Sequence, residues 1–175
     1  MKIRRTSLLL IFLIALTGCS SSDKPPPTTA KFVNIKKYLG KWYEIASLPN
    51  YFQRGCRCTN AQYKWLGNNK ISVLNQCIKG SDKKYSQAKA TAWPVNTNNS
   101  KLKVQFFWPF KGDYWIIYLQ KNYQYVLVGS PNYEYLWILS RKKSLPKPII
   151  KRLISIAQKK GFDTNKLRFT KQNCD

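Results

Sequence analysis

The chain has 175 residues and a formal net charge of +24, because 31 lysines and arginines outnumber seven acids, and it contains no histidine. This length suits one domain with a sizeable core. The lysines are spread along the chain rather than gathered on one helix or tail, which argues against nucleic acid as a partner. Without histidine, the usual general base, the Ser–His and Cys–His nucleophile pairs and the commonest metal ligand are missing. The acids stand apart in the sequence and match no glycosidase or phosphate-loop pattern, so we expect no enzyme, no catalytic residue, no cofactor and no metal.

The N-terminus has the three parts of an export signal. Lys2, Arg4 and Arg5 precede the apolar stretch 8–16, and small residues follow. This stretch is well short of the ~20 residues that span a bilayer. Leu16-Thr17-Gly18-Cys19 resembles the lipobox of bacterial lipoproteins, which implies removal of residues 1–18 and acylation of Cys19 with chains such as palmitate. An ordinary signal peptide with a chance cysteine and a membrane-spanning anchor are the alternatives.

The segment after the signal is rich in polar residues and proline. We predict that residues 19–32 form a lipidated cysteine and a flexible tether, because they have no apolar periodicity and include three consecutive prolines. Residues 33–175 would then form the folded domain. Loss of the three N-terminal cations leaves a charge of about +21, which favours contact with phosphate-rich membrane surfaces. A composition that is simply rich in lysine is the competing interpretation.

Short strand patterns recur about every ten residues, with turn residues such as Gly67-Asn68-Asn69 between them. This rhythm predicts an antiparallel all-β sandwich or barrel. One amphipathic helix is predicted over 146–160, ended by Gly161, and a last short strand over 166–170. The eight predicted strands are 42–46, 59–65, 70–75, 87–93, 102–108, 114–119, 125–128 and 135–140.

Four cysteines remain after Cys19, and they favour two disulfides in an oxidising compartment. A zinc site is the competing idea, but the Cys56-x-Cys58 spacing is tighter than usual and no histidine is available. Four cysteines can pair in three ways, and the other two are Cys77 and Cys174.

Three motifs occur in the order found in lipocalins. Gly40-Lys41-Trp42-Tyr43-Glu44-Ile45-Ala46 resembles the G-x-W motif, and Leu136-Trp137-Ile138-Leu139-Ser140-Arg141 resembles the last-strand motif that ends in arginine. Residues 109–117 and 127–137 look like the bacterial outer-membrane lipoproteins of this family and their apolipoprotein D branch. The chain departs from the middle motif at Gln120-Lys121-Asn122. The resemblance implies an all-β fold, an eight-stranded antiparallel up-and-down barrel with one C-terminal α-helix and a short ninth strand.

A barrel of this size holds one small ligand and needs a closed end. We expect Gly40, Trp42 and Arg141 to be structural there, with the Arg141 guanidinium over the indole of Trp42. Alternation places inward those residues that share parity with these motifs, although some of them could instead pack the core beneath the helix. Glu44 shares this parity and is expected to be paired structurally. The candidate ligand-binding residues are Tyr63, Trp65, Trp93, Phe106, Trp108, Trp115, Trp137 and Leu139, of which Trp93 and Trp115 rest on the weakest parity.

The resemblance also implies the disulfides Cys58–Cys174 and Cys56–Cys77, although alternation in the hairpin allows Cys58–Cys77 as well. It implies a carrier of fatty acids or lysophospholipids, anchored by Cys19 to the bacterial outer membrane and facing the periplasm. The alternative is a structural or adhesion lipoprotein whose basic surface binds anionic envelope lipids or a protein partner.

Overall fold

The computed structural model describes residues 24–80 and 84–174. The predicted signal peptide and the lipidated Cys19 lie outside these residues. Within the described part of the chain, no helix is long and apolar enough to cross a membrane.

Eight antiparallel strands close into a barrel, as predicted. Each strand pairs with the next along the chain, and β1 pairs with both β8 and β2, which closes the ring. A short ninth strand, β9 (Arg168–Phe169), lies outside the ring on β1. The strands of the barrel are β1 (Gly40–Ser47), β2 (Cys56–Gly67), β3 (Lys70–Lys79), β4 (Lys84–Pro94), β5 (Lys101–Phe107), β6 (Phe110–Leu119), β7 (Tyr125–Gly129) and β8 (Leu136–Ser140).

Turn chemistry sets the register of the β2–β3 hairpin. Asn68 and Asn69 have φ values of 47° and 57°, the left-handed conformation that two-residue hairpin turns require and that asparagine tolerates. Strand β3 continues to Lys79, beyond the predicted end at residue 75, because backbone pairing with β4 extends to Lys84.

Two α-helices flank the barrel in the part of the chain that the structure describes. The predicted helix is α2 (Lys147–Lys159), which buries Leu153 and Ala157 against the outer face of the barrel. A four-residue helix, α1 (Ile35–Tyr38), precedes β1, and the Asn34 side chain caps it by accepting from the Lys37 backbone N–H at 3.1 Å. The sequence analysis missed α1 because four residues are too few to show helical periodicity.

Residues 24–32, which belong to the predicted tether, lie against the barrel without regular secondary structure. The backbone N–H of Ala30 donates to the Ile116 carbonyl at 2.8 Å. Lys160 Nζ donates to the Thr28 carbonyl at 2.9 Å, and the Tyr133 hydroxyl donates to the Pro25 carbonyl. A proline-rich segment keeps unpaired carbonyls that cations and hydroxyls of the folded domain can bind, and composition alone does not show those partners.

Candidate functional site: the hollow of the barrel

The inward-facing side chains of all eight strands meet in one cluster, together with residues of α1. A second cluster fills the space between the outer face of the barrel and α2. The inner cluster defines the candidate site. Its closed end is the end where β1 begins, and its open end carries the β1–β2, β3–β4, β5–β6 and β7–β8 connections.

Trp42 forms the floor of the closed end. Its side chain is 0% exposed, and its indole Nε1 donates to the Tyr38 carbonyl at 2.8 Å. Arg141 Cζ lies 3.9 Å from the centroid of the Trp42 ring, a cation–π contact. Gly40 has φ +94°, and a Cβ there would lie 3.2 Å from Arg141 Nη1. Glycine therefore suits this position both in conformation and in space.

The Arg141 guanidinium ties together three parts of the closed end. Its Nη2 donates to the carbonyls of Lys37 at 2.9 Å and Tyr38 at 3.2 Å. Its Nη1 donates to the Lys41 carbonyl at 2.9 Å, and its Nε donates to the Tyr123 carbonyl at 3.3 Å. Partial burial lowers the pKa of Arg141. The fork of N–H groups thus satisfies carbonyls at the end of α1, in β1 and in the β6–β7 turn.

The hollow is open at the opposite end. Along the inner face of β4, Ala92 is buried, Ala90 is half-buried and Ala88 is exposed. Along the inner face of β5, Leu102 is buried and Phe106 is 45% exposed. Inward-facing residues that gain exposure toward one end line a cup that solvent enters from that end.

One wall of this cup is built from small side chains. Ala90 and Ala88 of β4 face inward, and so does Gly112 of β6, since it pairs with the inward-facing Val104. Short side chains at these three positions occupy little of the barrel interior, and a barrel of eight strands has room for one small ligand.

Four of the predicted ligand-binding residues lie on the inner face within the cup. Tyr63 and Leu139 are buried there, and Trp137 is half-buried beside the same cluster. Phe106 lies at the mouth. These four residues remain candidate ligand contacts.

Trp93 and Trp115 face outward, against the expected inward orientation, and their role as ligand contacts stays a prediction without support from this geometry. Trp93 pairs with Lys103 on the outer face, and Lys111 Nζ lies 5.6 Å from its ring centroid. Trp115 packs against the outer cluster, and Lys101 Nζ lies 4.0 Å from its ring centroid. An indole can lie outside because the stem and the charge of a lysine cover its face.

Trp65 and Trp108 lie at the ends of their strands, and their contact with a ligand stays a prediction. Trp65 keeps inward parity but lies beyond the start of β1, near the β2–β3 turn. Trp108 lies in the β5–β6 turn and is 85% exposed. Alternation was extended past the point where each strand still forms the wall of the cup.

A chain of hydrogen-bonded side chains crosses the mouth. The sequence analysis named its two ends, Trp137 and Glu44, but not the residue between them. Trp137 Nε1 donates to Gln53 Oε1 at 2.9 Å, and Gln53 Nε2 donates to the Glu44 carboxylate. Ser47 Oγ and Thr170 Oγ1 also donate to Glu44. Glu44 is 4% exposed, and burial raises the pKa of its carboxyl, opposed by these hydrogen bonds. The expected structural role of Glu44 is thus met by neutral donors rather than by a lysine.

The C-terminal tail fills a gap between β1 and β2. Strand β9 pairs with the part of β1 from which β2 has diverged, and the Cys58 backbone N–H donates to the Lys171 carbonyl at 2.7 Å. The structure joins Cys58 to Cys174, the tail disulfide, and Cys56 to Cys77, the hairpin disulfide. These are the two pairs that the family resemblance implied.

Three tyrosine hydroxyls meet at the base of the hollow. Tyr114 Oη lies 2.6 Å from Tyr38 Oη and 2.9 Å from Tyr63 Oη. Burial raises the pKa of Tyr63 to about 12 and raises the pKa values of Tyr38 and Tyr114 as well, so the three phenols stay protonated. The sequence analysis missed Tyr38 because it precedes the first strand, and Tyr114 because β6 is apolar on both faces.

The described residues contain no cluster of three or more cysteines and acids that could hold a metal ion. The arrangement is an apolar cup with a cluster of three tyrosine hydroxyls at its base.

Comparison with known proteins agrees with this geometry. The model of a lipocalin-like domain matches residues 33–172. The chain belongs to the lipocalin family. Among curated relatives, outer membrane lipoprotein Blc of Vibrio cholerae is 36% identical over 170 residues, which are 96% of this chain and 99% of that protein. Apolipoprotein D of Mus musculus is 35% identical over 95% of this lipocalin and 96% of its own length.

Comparison with solved structures supports the fold of this lipocalin and nothing beyond the fold. Lobster apocrustacyanin A1 superposes with a TM-score of 0.66 at 19% identity, covering 85% of this chain and 91% of its own. Insecticyanin of Manduca sexta superposes with a TM-score of 0.66 at 20% identity, covering 84% of each chain. Lipocalins generally bind small hydrophobic ligands and are carriers rather than enzymes.

The open end of this lipocalin carries an exposed aromatic tip, formed by Phe107, Trp108 and Phe110 in and beside the β5–β6 turn. The rings of Phe107 and Phe110 lie 5.4 Å apart between centroids. Lys111 follows directly in β6. Aromatic side chains beside a cation are typical of contacts with the headgroup region of a membrane.

Proposed function

We propose that this lipocalin is a lipid-anchored carrier of small hydrophobic molecules, with fatty acids or lysophospholipids as ligands, in the bacterial envelope. The observation that carries the proposal is the gradient of exposure along the inner faces of β4 and β5, which describes an apolar cup open at one end. Burial of an acyl chain in such a cup contributes about 0.8 kcal/mol per methylene.

Charge at the mouth favours an anionic headgroup. Lys79 and Lys84 pair across the end of the β3–β4 hairpin, at the open end of the barrel. An amphiphile that buries its chain in the cup would leave its head among these cations. The surplus of positive charge on the whole chain acts in the same direction at longer range.

The N-terminal segment supports a proposed orientation toward the membrane. Lys24 Nζ lies 4.1 Å from the ring centroid of Tyr133, in the β7–β8 connection at the open end. Four residues lie between Cys19 and Lys24, so the five Cα–Cα steps reach about 17 Å when extended. Acylation of Cys19 would therefore hold the mouth of the cup near the outer membrane, facing it from the periplasmic side.

The test is a titration with a fluorescent fatty acid, with tryptophan quenching as the readout. Ala90→Phe places a ring in the half-buried inner wall of β4, whereas the control Lys89→Phe places it on the exposed outer face. We expect saturable binding to the parent protein, an affinity at least ~10-fold lower for Ala90→Phe, and no change for the control. Equal binding by both variants would place the ligand elsewhere, and no saturable binding would refute the proposal.

The second candidate is a structural or adhesion lipoprotein that binds anionic envelope lipids. The specific observation in its favour is the exposed aromatic tip beside Lys111. Binding to anionic vesicles without any saturable uptake of fatty acid would favour this function over the carrier.

A further inference from the structure

The three hydroxyls at the base of the hollow make an incomplete hydrogen-bond set. Tyr114 Oη contacts both Tyr38 Oη and Tyr63 Oη, at 2.6 and 2.9 Å. Within residues 24–80 and 84–174, these hydroxyls make no other hydrogen bond. Each phenol supplies one hydrogen, so three hydrogens are available for two contacts, and one hydrogen always remains.

The arrangement of donors does not change this count. If Tyr38 donates to Tyr114 and Tyr114 donates to Tyr63, the hydrogen of Tyr63 remains. If Tyr38 and Tyr63 both donate to Tyr114, the hydrogen of Tyr114 remains. A buried donor without an acceptor costs about 1–3 kcal/mol, so the cluster favours an acceptor that arrives from outside the protein's own side chains.

The cup is the route by which that acceptor can arrive. Tyr38 and Tyr63 are buried, whereas Tyr114 is half-buried on the inner wall of β6, one inward position below the exposed Gly112. Trp42 closes the other side of the cluster, with its ring centroid 5.1 Å from that of Tyr38. A ligand that extends down the cup past Gly112 would approach this cluster with its deep end.

We propose that the base of the cup binds a neutral oxygen acceptor, a hydroxyl, ketone or ester oxygen, at the far end of an acyl chain. This inference rests on the proposed carrier function and names its ligand class as an oxygenated amphiphile with an anionic head at the mouth. An ionised carboxylate does not fit the base, because its desolvation costs more than one phenol hydrogen bond returns. The nearest cation, Arg141, lies across the Trp42 ring, with its N–H groups occupied by four carbonyls.

The experiment compares lauric, myristic and palmitic acids with their ω-hydroxy counterparts by competition against a fluorescent fatty acid. For the chain length that reaches the base, we expect the ω-hydroxy acid to bind about 5–10-fold more tightly than the plain acid. The corresponding α,ω-dicarboxylic acid should bind more weakly than either. These comparisons use the unchanged protein and do not depend on any variant.

A triple variant tests whether the hydroxyl cluster is the donor. Tyr38→Phe, Tyr63→Phe and Tyr114→Phe together remove every hydroxyl of the cluster at nearly constant shape, so within this variant the ω-hydroxy acid and the plain acid should bind with equal affinity. Tyr118→Phe, in the outer cluster, is the matched control and should keep the advantage of the ω-hydroxy acid. Plain and ω-hydroxy acids of equal affinity at every chain length would overturn the inference alone. Failure of every acid to bind would overturn the carrier function.

Discussion

Replacing Arg141 tests how the closed end of the barrel is held. The guanidinium donates to four carbonyls and lies over the Trp42 ring. At this half-buried site we take about 1 kcal/mol for each hydrogen bond and about 1 kcal/mol for the cation–π contact. Arg141→Lys keeps the charge but loses the planar fork, so two or three carbonyls lose their donor.

The expected loss in the free energy of unfolding is about 2–3 kcal/mol for Arg141→Lys and about 4–5 kcal/mol for Arg141→Ala. Urea unfolding followed by tryptophan fluorescence measures both values, provided that the m-value is unchanged. Arg152→Lys, on the exposed face of α2, is the control and should change the stability by less than ~0.5 kcal/mol. If Arg141→Lys were as stable as the parent protein, the carbonyl fork would contribute nothing and the argument would fail.

Three further predictions concern pH, packing and cross-links. Burial raises the pKa of Glu44 in the folded protein above its ordinary value of 4.5. The stability that the protonated Glu44 contributes to folding is therefore complete below pH ~4.5 and declines as the pH rises through the folded pKa. Urea unfolding at several pH values should therefore show Glu44→Gln gaining stability relative to the parent as the pH rises, and a constant difference would contradict this. Gly129→Ala should lower the free energy of unfolding by about 1–3 kcal/mol, because its Cβ would lie 2.7 Å from Phe162 Cζ. Gly112→Ala should be near neutral, because its Cβ would meet nothing closer than 3.4 Å. Equal thermal stability of the two variants would refute the packing argument. Removing each disulfide by replacing both of its cysteines with alanine should lower the free energy of unfolding, by about 5 kcal/mol for the tail disulfide and about 3 kcal/mol for the hairpin disulfide. The difference arises because the partners are 116 residues apart in the tail disulfide and 21 in the hairpin disulfide. Equal losses of stability in denaturant would show that loop length does not set these contributions.

The hydroxyl cluster shows where sequence reasoning stopped. Tyr63 was placed inward correctly because β2 alternates clearly between Ala61 and its polar neighbours. Strand β6 is buried on both faces, by the hollow on one side and by the outer cluster on the other. Both faces of β6 are therefore apolar, and the sequence pattern does not show which residues face inward. The sequence analysis expects Trp115 to face the hollow, whereas Tyr114 does.

The hydrogen bonds at the mouth have no sequence pattern for a related reason. Glu44 carried inward parity, but its donors come from a loop and from the C-terminal tail, at Gln53 and Thr170. Loop residues have no periodicity that fixes their direction. Contacts between segments more than a hundred residues apart leave no local pattern.

The sequence by itself determined the number and order of the strands, the single long helix, and the glycine, tryptophan and arginine of the closed end. These features depend on local periodicity, turn residues and short motifs, which neighbouring residues specify together. Only the tertiary structure decided which tryptophans face the hollow, where the N-terminal segment lies and how three tyrosine hydroxyls meet. Those outcomes depend on closure of the barrel, because the register around the ring and the cover on its outer face select which side of each strand is enclosed.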